Sequence, residues 1–121
     1  MLVEVRVDGG AQEEADLRLL QDWLRQEPVV RAAAAVSLLE RPAQSGAMGG
    51  LVEAVQLVTD NGWSAASFVL SVLAWRQTRP RPPRITIRRG GVEVSMTEYS
   101  DAEVQRVIAM LEEPGGEQDQ P

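Results

Sequence analysis

Few side chains in this sequence can carry chemistry, and their kinds limit what that chemistry is. There is no cysteine and no histidine, and every one of the twelve basic residues is arginine. Thiolate chemistry, the usual general base near neutral pH, a Schiff-base lysine and a Walker-type phosphate lysine are therefore all excluded. What remains is carboxylates, serines, arginines and a single tyrosine. Asp16, Asp22, Glu112 and Glu113 fall on helical faces at spacings that do not set two carboxyl groups across a cleft. Ser64, Ser67 and Ser71 have no histidine or lysine to activate them, so nucleophilic catalysis is not expected. The glycine pairs at 9–10, 49–50 and 90–91 read as turns, since none completes a phosphate-binding pattern. Neither catalytic residues, nor a cofactor site, nor a metal site is expected.

The elements that would position these groups follow from periodicity. Val3, Val5 and Val7 alternate with Glu4, Arg6 and Asp8, the pattern of a strand with one buried face. Between Gln12 and Gln26 the spacing becomes helical, with Leu17, Leu20 and Leu24 on one side joined by Trp23, and Pro28 ends it. Val29 to Glu40 reads as a short turn and then a strand over about 34–40. A loop rich in glycine and proline, Arg41 to Gly50, leads to residues 48–77, which read as a helical hairpin. Leu51, Ala54, Val55 and Val58 form the stripe of its first helix, and Asn61-Gly62 stops it. Ser64 caps its second helix, which runs to Trp75 and is apolar almost all round.

Beyond the hairpin, the prolines of Arg79 to Arg84 force an extended connector. Ile85 and Ile87, Gly90-Gly91, then Val92, Val94 and Met96 spell a β-hairpin. Ser100 and Glu103 form a capping box opening a helix whose stripe is Val104, Val107, Ile108 and Leu111. Residues 114–121 have nothing to bury and read as a disordered tail. The expected fold is one α+β domain over residues 1–113: a small mixed or antiparallel sheet with helices packed on one face, in the order β-α-β-α-α-β-β-α. The length of 121 residues suits a single core without staples.

Two surfaces stand out for binding. The first is the small-polar stripe Ser64, Ser67 and Ser71 of the second hairpin helix, flanked by Trp63 and Trp75, which suits close helix packing within the fold or with another chain. The second is the arginine cluster Arg76, Arg79, Arg81, Arg84, Arg88 and Arg89, which holds half of the positive charge. It reads either as a solvated connector that protects a sheet edge or as a docking patch for an acidic partner or anionic lipid headgroups. The formal net charge of −6 argues against general nucleic-acid binding. The N-terminus lacks the pattern of a signal peptide, and a cysteine-free chain is compatible with the cytoplasm.

The ordered run of features resembles a known family. It comprises the strand Val-Glu-Val-Arg-Val-Asp-Gly, the helix Leu-Arg-Leu-Leu-Gln-Asp-Trp-Leu ending at Glu27-Pro28, and the loop closing on Gly46-Ala-Met-Gly-Gly. The segments Leu-Val-Glu-Ala-Val-Gln-Leu-Val and Leu73-Ala-Trp-Arg-Gln-Thr-Arg79, the Ile-Thr-Ile-Arg hairpin and the capped last helix complete it. Over residues 1–113 this is similar to the effector-associated constant component family of actinobacterial conflict systems, in its first subtype. The resemblance implies a non-enzymatic adaptor in bacterial immunity or programmed cell death, acting beside a protease-type effector or an NTP-dependent switch protein. It carries over no catalytic residue. Self-association through the hairpin is a further expectation. The alternative is a membrane-active component in which hairpin 48–77 inserts into or docks on lipid.

Overall fold

The computed structural model describes residues 1–8, 13–42, 50–60 and 63–113. The expected loop at 43–49, the Asn61-Gly62 stop and the C-terminal tail lie outside them. Along the chain run β1 (Leu2–Asp8), α1 (Glu13–Gln26), α2 (Pro28–Ala33), β2 (Ala34–Pro42) and β3 (Gly50–Thr59). They are followed by α3 (Ala65–Gln77), β4 (Arg84–Arg89), β5 (Val92–Ser95) and α4 (Asp101–Glu112). The fold is α+β, as the periodicities predict. Its five strands lie in the order β2-β3-β1-β4-β5, and every neighbouring pair is antiparallel.

One expectation is overturned. Residues 50–59 are not the first helix of a hairpin but a central strand, paired with β1 on one side and β2 on the other. The reason is a bulge. Leu39 pairs with Ala54 and Glu40 with Val52, leaving Glu53 as the extra residue of β3. Val52 therefore packs against the same core as Val55 and Leu57, while Val58, read from the sequence as part of the same helical stripe, stands 57% exposed on the other face. Four β-branched residues, Val52, Val55, Val58 and Thr59, favour the strand once it has partners on both sides. The turn expected before β2 is the short helix α2, which opens on Pro28 in its first turn, where a missing amide proton costs nothing.

The sheet has one covered face and one open face. Val3, Val5 and Val7 of β1, Val55 and Leu57 of β3, and Ile85 and Ile87 of β4 are all buried beneath the helices. Leu17, Leu20 and Leu24 of α1 complete one side of this core, and Phe68, Val72 and Trp75 of α3 its centre. On the other face the strand register sets Ser37, Gln56, Glu4, Arg88 and Glu93 in one polar row across all five strands. There Glu4 lies 3.9 Å from Arg88 and 3.7 Å from Arg6.

The last helix is fastened at both ends. At its start the Ser100 hydroxyl accepts from the Glu103 amide at 3.2 Å. No basic residue lies in its last turn. Instead Arg89 of β4, only 8% exposed, donates to the carbonyls of Met110 and Leu111 at 2.9 and 3.3 Å. A buried guanidinium thus satisfies carbonyls that a helix end leaves free, and its charge complements the helix dipole.

Candidate interaction surface

The structure separates the two sequence candidates. Of the serine and tryptophan set in and before α3, Ser71 and Trp75 belong to the interior and the other three are half-buried. Ser64 is the N-cap, its hydroxyl accepting from the Ser67 amide at 3.1 Å, as its position ahead of an apolar run predicts. Ser71 is buried, and the Trp23 indole of α1 donates to its hydroxyl at 2.9 Å and to its carbonyl at 3.0 Å. Trp75 is 1% exposed. Trp63 and Ser67 are half-buried, and the Trp63 ring rests on Phe68 with centroids 5.3 Å apart. The stripe lets α1 approach α3 closely, and the outward side of α3 is instead marked by Leu70, 58% exposed.

The arginine connector between α3 and β4 is built differently. At the end of α3 the Thr78 hydroxyl donates to the Trp75 carbonyl at 2.6 Å, closing the helix. Arg76 then reaches forward to the end of the connector, its Nε donating to the Pro83 carbonyl at 2.6 Å. Its guanidinium lies 3.7 Å above the centre of the Tyr99 ring, a cation–π contact. The Tyr99 hydroxyl accepts from the Ile85 amide at 2.9 Å and donates to the Pro83 carbonyl at 3.4 Å. Arg79 lies 3.8 Å from Asp16 of α1 and 5.5 Å from the Trp75 ring centre. Both ends of the proline-rich segment are therefore held.

Tyr99 is itself held in place by Glu103. The Glu103 carboxylate accepts from the backbone amides of Thr97, Glu98 and Tyr99 at 2.8–3.1 Å, and from the Thr97 hydroxyl at 3.1 Å. These donors, the Thr97 amide foremost, hold its carboxyl below the usual carboxylate range. Tyr99 takes a positive φ of 56°, an uncommon conformation for a residue with a side chain. The glutamate of the predicted capping box thus binds the three amides preceding Ser100. Sequence reasoning found the serine and glutamate but missed Tyr99, whose only signal is its place next to the cap.

Arg81 and Arg84 remain. Both are exposed, and among the described residues neither side chain makes a hydrogen bond or an ion pair. Arg84, with Arg76, Tyr99 and Asp8, lines an open cavity of about 290 Å³. Two unpaired guanidinium groups on a fixed, proline-stiffened segment suit recognition of carboxylates, because little side-chain and backbone freedom is left to lose on docking. Arg88 lies apart on the open face of the sheet against Glu4, and Arg89 is the buried clasp of α4.

Among the described residues there is no cluster of acidic side chains arranged to hold a metal ion, and no helix long and apolar enough to cross a membrane. The membrane alternative also loses its hairpin, since residues 50–59 are the sheet's second strand from the edge. No curated protein matches the chain, and no solved structure does. Residues 9–113, from the end of β1 through α4, match the family described as Effector Associated Constant Component 1. The match takes in nearly the whole of the fold described above, and the chain belongs to that family.

Proposed function

We propose that this protein is a non-enzymatic accessory module of a bacterial conflict system, working in the cytoplasm beside a protease-type effector or an NTP-dependent switch protein. It docks on an acidic surface of that partner through Arg81 and Arg84. Membership of an effector-associated family supports the accessory role. The observation that carries the docking surface is the contrast along residues 76–84: Arg76 at the end of α3 and Arg79 of the connector are engaged by the fold, while the side chains of Arg81 and of Arg84, the first residue of β4, stay free.

Attraction between a basic connector and an acidic partner is screened by salt and acts mainly on the association rate. Titration calorimetry of the protein with a candidate effector of the same conflict system tests the reading. Binding that weakens as salt rises, and that is lost in the double variant Arg81→Glu/Arg84→Glu, is the expected result. Binding indifferent to both salt and charge reversal refutes this surface.

A further inference from the structure

The two edges of the sheet are protected unequally. β5 is four residues long and carries Glu93, the short and charged kind of edge that resists pairing. β2 spans Ala34–Pro42, and from Ala34 to Leu39 it has no charge, proline or glycine. Its outer side is covered at one point by a side chain: Arg25 of α1 donates through Nε and Nη2 to the Val36 carbonyl at 3.3 and 3.1 Å. That carbonyl is bonded to a side chain and not to β3, so Val36 turns its backbone groups to the free edge. By strand alternation Leu38 does the same.

A second feature ends at the same edge. On the open face, Leu2, Val58 and Ala35 stand opposite one another across β1, β3 and β2. Leu2 is 48% and Val58 57% exposed. This apolar row stops at Ala35, where a further strand would continue it. The added strand must place an apolar residue beside Ala35, a small one beside Ser37, and outward-facing backbone groups opposite those of Val36.

We propose that this strand is β2 of a second copy, paired antiparallel about a two-fold axis at Ser37. In that register Val36 of each copy faces Leu38 of the other, and both residues present their outer backbone groups. Leu39 faces Ala35, extending each row to Leu2–Val58–Ala35–Leu39. Ser37 faces Ser37, a small uncharged pair on the exposed face. The Arg25 guanidinium gives up the Val36 carbonyl to the Leu38 amide of the second copy. The product is a continuous ten-stranded sheet with the helices of both copies on the same face. Because each chain carries −6, salt screens the repulsion between the two copies and strengthens the association.

Sedimentation over a concentration series, at low and high salt, tests this on the full chain. The expected result is a reversible monomer–dimer equilibrium favoured by salt. Ser37→Lys and Ser37→Asp, each setting like charges against each other at the axis, weaken it roughly tenfold. An equimolar mixture of the two variants restores dimerisation. Since the chain has no cysteine, Ser37→Cys supplies an independent readout. Residues facing at a non-hydrogen-bonded antiparallel position have Cα atoms about 4.5 Å apart, within disulfide reach. Mild oxidation therefore links Ser37→Cys into a dimer and leaves a control, Arg106→Cys on exposed α4, largely monomeric. A monomer at every concentration, or a dimer that neither Ser37 charge variant weakens, overturns the proposal.

Discussion

The serine and tryptophan stripe of α3 and the arginines of the following connector are neighbours in sequence with opposite fates. Ser71 and Trp75 are buried, the first receiving the Trp23 indole proton and the second filling the centre of the core. Arg81 and Arg84, only a few residues on, are exposed and unpaired among the described residues. Small-polar and aromatic residues on an apolar helix are first claimed by the helix's own neighbours. Charged residues on a proline-rich connector have no such claim on them unless a carbonyl, carboxylate or ring lies within reach, as it does for Arg76 and Arg79.

Variants can break that comparison, beginning with the largest effect. Trp75→Ala empties the middle of the core and should cost about 3–5 kcal/mol of stability in denaturant unfolding. A loss below about 1 kcal/mol would show that Trp75 is not a core residue. Ser71→Leu removes the hydroxyl that accepts from the Trp23 indole, leaves it the Ser71 carbonyl, and forces α1 away from α3, at a cost of about 1–3 kcal/mol. Were that variant as stable as the wild type but altered in partner binding, the stripe would be an external surface after all.

Glu103→Gln sharpens the other half of the comparison, because Glu103 fixes the segment that carries Tyr99 and Tyr99 braces the connector. The folded-state pKa of Glu103 is lowered, so its contribution to stability is fully present above the unfolded value, near 4.5, and is lost as pH falls through the folded value. Thermal melts of wild type and Glu103→Gln should therefore differ at neutral pH and converge in acid. A gap that stays constant with pH would mean that the carboxylate charge is not what holds residues 97–99.

How far the fold was legible in the sequence depended on whether its signals were local. β1, the β4–β5 hairpin, the Ser64 and Ser100 caps and the buried stripe of α1 all follow from spacing within a few residues. β3 did not, because the bulge at Glu53 puts Val52 and Val55 on one face at a helix-like interval, and only the pairing with β1 and β2 resolves the ambiguity. The inward and outward roles of the candidate surface were hidden for a related reason. A serine stripe reads the same whether it faces Trp23 or another chain, and nothing near Arg76 in sequence announces that Tyr99, 23 positions on, will lie beneath its guanidinium. Arg89 is the same case, a residue that counted with the exposed cluster until Met110 and Leu111 were brought to it.

The docking surface we propose is the free arginine pair Arg81 and Arg84 and not α3. The most direct measurement combines thermal unfolding of Arg81→Glu/Arg84→Glu with its calorimetric titration against the proposed effector partner. An unchanged melting temperature, as for surface substitutions within about 0.5 kcal/mol of neutral, together with lost binding is the predicted result. An unchanged melting temperature with binding intact would contradict it.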